Sequence, residues 1–251
     1  MEDSKPLFII EPSQSGLSHN ANVFQVSAEA LSCTQETQLA DVYYRNQKDK
    51  PISLIDTVGF DDPKNDVDAV IIADLVTKLQ NRVDFVNTFI IAVNGQNPRL
   101  DGALLGMIRI FEGMFGISFW GQTVIVFTRL PMDKKSVKRR NANSGRSDKQ
   151  LAKDYIRTVE DEFPDGKGLE YLIMDACFDE DDDYESSAFE NASKKLWEKI
   201  RKSERLQTVN VKMVESENKK LKKEIAKKEE AMKEEMENFK AELGRHLSNI
   251  S

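Results

Sequence analysis

Short apolar runs and helical stripes alternate along most of this chain. The runs at residues 7–10, 52–55, 88–93, 123–127 and 169–174 are continuous enough to predict strands buried on both faces of a parallel sheet. Helical spacing fills the intervals. Asp66 opens a helix whose Val67, Ile71, Leu75 and Leu79 share one face, and a second helix at 100–115 ends at Gly116. A third covers 148–163, and a fourth, 187–201, carries Phe189, Leu196, Trp197 and Ile200. Asn94-Gly95 reads as a turn after the third run, and 134–146 as a basic, polar insert. Strands separated by helices of this length predict right-handed βαβ units, a mostly parallel sheet and a three-layer α/β domain.

The pattern changes near Ser203. Lysine and glutamate dominate from there, and the apolar residues thin to Val214, Leu221, Ile225, Met232, Met236, Phe239, Leu243 and Leu247. Their spacing is a helical stripe rather than a strict heptad, so a C-terminal charged helix is expected. It either lies against its own domain or pairs as a coiled coil. The expected division is therefore a domain at 7–202 and a helical extension at 203–251.

Composition narrows the class. A chain of 251 residues accommodates one α/β domain of about 200 residues and an appendage. The net charge of −7 argues against general nucleic-acid binding. Cys33 and Cys177 form neither a metal-ligand pair nor a secreted disulfide framework. The start is too polar for a signal peptide, and no apolar run approaches the ~20 residues of a membrane span. A soluble, cytoplasmic protein is the expectation.

The chemistry begins where the second run ends, in Asp56-Thr57-Val58-Gly59. A strand that delivers an acidic residue, followed by a glycine, can hold a carboxylate near Mg²⁺ and a backbone amide near a γ-phosphate. A phosphate-binding loop should then follow the first strand. Residues 11–18 read Glu-Pro-Ser-Gln-Ser-Gly-Leu-Ser. Against Gly-x-x-x-x-Gly-Lys-Ser/Thr they keep Gly16 and Ser18, but Glu11 replaces the first glycine and Leu17 replaces the lysine. Amides of Ser13, Ser15, Gly16, Leu17 and Ser18 can still face a phosphate, while the point charge is gone.

Three segments resemble the AIG-type GTPases (GIMAP or IAN proteins), distant relatives of the chloroplast import receptors. They are Leu54-Ile55-Asp56-Thr57-Val58-Gly59-Phe60-Asp61-Asp62; Asn94-Gly95-Gln96-Asn97-Pro98-Arg99-Leu100, running on to Phe115-Gly116; and Trp120-Gly121-Gln122 with the strand and Thr128-Arg129 after it. The resemblance covers about residues 7–202 and implies a P-loop GTPase-like fold. It further implies GTP or GDP with Mg²⁺ served by Ser18, Thr34 and Asp56, and Gly59 at the γ-phosphate. Thr128-Arg129 matches the start of the guanine-reading Thr-Lys/Arg-x-Asp motif, but Pro131 stands where the aspartate belongs, and Asp133 comes two positions late. Asp175-Ala176-Cys177 occupies the place of the last guanine loop.

Two functions follow. One is a GTP-binding protein that hydrolyses weakly or only as a homo-dimer or oligomer, in which Arg99, beyond the Asn94-Gly95 turn, either reaches a facing subunit's phosphates as a catalytic residue or forms a structural salt bridge with Asp101 or a neighbouring helix. The other is a pseudo-GTPase, an interaction module that binds nucleotide poorly and acts by self-assembly. Asp56, Gly59, Ser18 and Thr34 favour the first; Glu11, Leu17 and Pro131 favour the second.

Overall fold

A computed structural model describes residues 5–10, 37–57, 67–98, 100–175 and 178–211. Six strands form one sheet: β1 (Lys5–Ile10), β2 (Gln38–Tyr43), β3 (Pro51–Asp56), β5 (Thr88–Asn94), β6 (Thr123–Thr128) and β7 (Glu170–Ile173). Their order across the sheet is β2-β3-β1-β5-β6-β7, and every pairing is parallel except β2 with β3. The five apolar runs are the five parallel strands. A two-stranded sheet, β4 (Phe85–Val86) with β8 (Leu206–Gln207), closes one corner.

Alternation within the central strands divides the core into two layers. Phe89, Ile91, Val93, Ile125 and Phe127 face α1 (Val67–Arg82), α2 (Gly102–Phe115), α3 (Ser118–Gln122) and α5 (Asp148–Glu162). Ile90, Val124 and Val126 face Phe189, Ala192, Leu196 and Ile200 of α6 (Asp183–Lys202). Burial on both faces explains why these strands read as continuous apolar runs. Phe89 sits among Phe111, Phe115 and Phe119, at centroid distances of 6.1, 4.8 and 4.9 Å.

Side-chain caps set the helix starts. Asp101 accepts from Leu104 N at 2.9 Å to begin α2, and Ser147 with Gln150 forms a capping box on α5. Asp182 accepts from Tyr184 N and Glu185 N, so α6 begins four residues before the expected 187. The segment at 134–146 corrects the sequence reading. It contains helix α4 (Lys134–Ser144), capped by Asp133 and closed by Gly145 at φ 65°. No residue of α4 is buried, so the apolar stripe that reveals other helices is missing from it.

Beyond α6 the chain returns to the domain. Thr208 donates to Val83 O, and Val211, 5% exposed, joins the α1 side of the core. Among the described residues, no helix is long and apolar enough to cross a membrane.

Burial pushes the Tyr44 phenol up to about 12, and pushes that of Tyr155 up as well, with Asp101 adding to the latter. The unfolded chain ionises both near 10. Stability from these groups is therefore present below pH 10 and lost as pH rises through 12. Of five tyrosines, these two should develop phenolate absorbance only together with loss of the far-UV circular dichroism signal. Ionisation of all five near pH 10 in the folded protein would contradict this.

Candidate functional site

The carboxyl ends of the parallel strands line up along one edge of the sheet, where ligands bind in open α/β folds. Asp56 is the last residue of β3 and pairs in register with Ile9, one residue before β1 ends. Its side chain is half-buried, and Thr57 after it is 2% exposed. The neighbouring strands deliver Asn94 from β5, Thr128 from β6 and, beyond β7, the buried Asp175.

The strand ends at β5 and β6 are locked together. Gly95 N donates to Thr128 O at 2.8 Å, extending the ladder past Asn94, and Thr128 Oγ1 donates to Val93 O at 3.3 Å. Asn94 Oδ1 accepts from Gln96 N at 3.1 Å, which closes the expected turn. A Cβ on Gly95 would stand 2.4 Å from Leu130 Cδ1 and 2.9 Å from Thr128 O. Leucine can rotate away; the carbonyl cannot. Gly95→Ala should therefore destabilise the fold by roughly 1–3 kcal/mol, read as a lowered denaturation midpoint, and an unchanged midpoint would contradict this packing.

The loop after β6 is held in an unusual path. Arg129 has a left-handed backbone, φ 55°, a strained state for a residue with a Cβ. Arg140 of α4 holds the other side of the loop: Nη1 donates to Pro131 O at 2.7 Å, while Nε and Nη2 grip Asp148 at 3.1 and 2.8 Å. Asp133 is engaged locally. Its Oδ1 accepts from Ser136 N at 2.9 Å as the cap of α4, and hydrogen bonds from Ser136 hold its carboxyl below the usual carboxylate range.

A second carboxylate ties this loop to the next. Glu185, 7% exposed, accepts from Asp133 N at 3.0 Å and from Asp179 N at 2.7 Å. The loops after β6 and β7 thus share one buried acceptor. Glu185, Arg140 and Asp148 escaped the sequence reading because nothing in their spacing announces a contact. The cap pair Asp133 and Gly145 was the one signal available for α4.

Of the residues expected at the site, Asp56, Thr128 and Arg129 lie at this edge. Thr128, 1% exposed, uses its hydroxyl within the sheet. Ser13, Ser15, Gly16, Leu17, Ser18, Thr34, Gly59 and Arg99 lie outside the described residues. The expected set of one carboxylate, Asp56, and two hydroxyls, Ser18 and Thr34, is of the oxygen-donor type that would suit Mg²⁺. Among the described residues no group of three or more His, Cys, Asp or Glu side chains forms a metal cluster. A cleft of about 830 Å³ lined by Gln122, Glu170, Tyr171 and Lys199 lies at the opposite, amino-terminal ends of β6 and β7.

Solved structures share this fold. Toc33 from Arabidopsis thaliana in complex with Mg²⁺ and GMPPNP is similar over 81% of this chain and 88% of its own, at 16% identity and a TM-score of 0.56. A dimerization-deficient Toc33 mutant covers 82% of this chain and 88% of its own, at 15% identity and a TM-score of 0.55. The chain has a P-loop GTPase-type fold. A further structure concerns the chloroplast translocon components atToc33 and psToc159, for which dimerization is important for GTPase activity. It covers 81% of this chain and 86% of its own, at 13% identity and a TM-score of 0.58. No protein-family model and no curated protein matches the chain.

Proposed function

We propose that the chain is a guanine-nucleotide-binding protein of the AIG type, with weak or dimer-dependent hydrolysis. The observation that carries this reading is Asp56, held at the carboxyl end of β3 in register with the end of β1, the strand that residues 11–18 follow. There Asp56 would serve Mg²⁺ together with Ser18 and Thr34, and amides of residues 13–18 with Gly59 would face the phosphates. The solved complexes of Toc33 with GMPPNP or GDP and Mg²⁺ support this for the fold. Arg99 from a facing subunit would offset part of the charge missing at Leu17. A homo-dimer or oligomer, an extension beyond 203 that either pairs as a coiled coil or lies against its own domain, and a cytoplasmic location belong to the same proposal.

A second reading, the pseudo-GTPase, is favoured by the loop after β6. Pro131 exposes no carboxylate, and the Asp133 carboxylate is occupied as a helix cap. Loss of a paired acceptor weakens base discrimination by orders of magnitude. A calorimetric titration with GTP·Mg²⁺, with ATP·Mg²⁺ as control, tests both readings. Saturable binding of GTP that weakens at least tenfold in Asp56→Asn supports the first reading. The second is supported if the folded protein produces no binding heat at millimolar GTP.

A further inference from the structure

Helix α4 carries Lys134, Lys135, Lys138, Arg139 and Arg140, and no acidic residue, in a chain of net charge −7. Burial does not account for it, because none of its residues is buried. Arg140 is used internally on Asp148 and Pro131, and the Lys134 ammonium lies 5.8 Å from the centroid of the Tyr184 ring. Lys135, Lys138 and Arg139 are exposed, and among the described residues no carboxylate pairs with them. Next to α4 runs the opposite charge: Asp179, Glu180, Asp181 and Asp183 are exposed around the cap residue Asp182. The two segments form one body, because the Glu185 carboxylate accepts from Asp133 N at the head of α4 and from Asp179 N at the head of the acidic segment.

A positive and a negative element fixed side by side make a self-complementary patch. A two-fold axis between them sets α4 of each molecule on the acidic segment of the other, so both contacts form twice. We propose that this surface is an interface between two copies of the chain. An anionic membrane would attract α4 but repel the adjacent acidic segment, whereas a second copy satisfies both. The contact is built from exposed charges, so it should be weak and strongly dependent on salt. On the nucleotide reading above, the same surface carries the two loops that flank the base, so dimer formation would steady them. The interface itself does not depend on nucleotide.

Sedimentation equilibrium of the full chain without nucleotide tests this. Wild-type protein should dimerise at low ionic strength and dissociate as salt rises to about 0.5 M, where the screening length falls to a few ångströms. Lys135→Glu/Lys138→Glu/Arg139→Glu should weaken self-association at least tenfold, as should Glu180→Lys/Asp181→Lys/Asp183→Lys. An equimolar mixture of the two triple variants should dimerise again, because each then presents the charge that the other lacks. The proposal is overturned if the wild type is monomeric at low salt or forms a salt-insensitive dimer. It is equally overturned if the variants stay dimeric, as association through the C-terminal extension alone would make them, or if a mixture of folded variants stays monomeric.

Discussion

Arg140→Met should lower the unfolding free energy by about 3 kcal/mol, the lower end of the range for stripping a buried ion of its partner. Asp148 has a side chain only 8% exposed, and Arg140, at 21%, supplies two of its hydrogen bonds. Methionine matches the length of the arginine stem but leaves that carboxylate without a donor. The amino end of α5, where Asp148 sits, softens the loss through its helix dipole, which keeps the figure from the top of the range. Removing both charges should cost less than removing one, so Arg140→Met/Asp148→Leu should be more stable than Arg140→Met alone. Denaturant unfolding of wild type, both single variants and the double variant gives the coupling directly. A loss below about 1 kcal/mol in Arg140→Met would mean that the pair is solvated and does not hold the loop.

Phe111→Ala should cost about 3–5 kcal/mol, the expected range for truncating a fully buried aromatic residue. Phe111 is 0% exposed and lies 6.1 Å from Phe89, 6.4 Å from Phe115 and 6.2 Å from Phe119, measured between ring centroids. Those rings are anchored on β5, α2 and α3, so they cannot collapse into the space without moving the layer that supports the strand ends. Ile117→Ala is the matched control. Ile117 is 67% exposed, and its truncation should change stability by no more than about 0.5 kcal/mol. Equal losses at the two positions would contradict the assignment of the core.

The central strands β5 and β6 were legible because burial on both faces leaves a continuous apolar run inside them, whereas β7, exposed at Glu170 and otherwise half-buried, was read from its apolar residues alone. β2 was not legible. It is an antiparallel edge strand, only partly buried, and its Gln38 and Asp41 interrupt any apolar run. Helix α4 was hidden for the same physical reason, since its start depends on a cap and its fit to the domain on Arg140 rather than on an apolar stripe. At the site, Asp56 could be read from the strand that ends in it. The role of Asp133 could not: a carboxylate two positions late in a motif looks the same in sequence whether it reads a base or caps a helix. Glu185 was illegible altogether, because its two partners lie 52 and 6 residues away and both are backbone amides.

The most direct test of the nucleotide assignment is repair of the first loop. On the proposed reading, Gly16 and Ser18 keep the sequence register of a phosphate loop, and Leu17 removes the charge that would contact the phosphates. Calorimetric titration with GTP·Mg²⁺ should show Glu11→Gly/Leu17→Lys binding at least tenfold more tightly than the parent, a gain of about 1.4 kcal/mol. A repaired protein that folds and binds GTP no better than the parent would contradict the account.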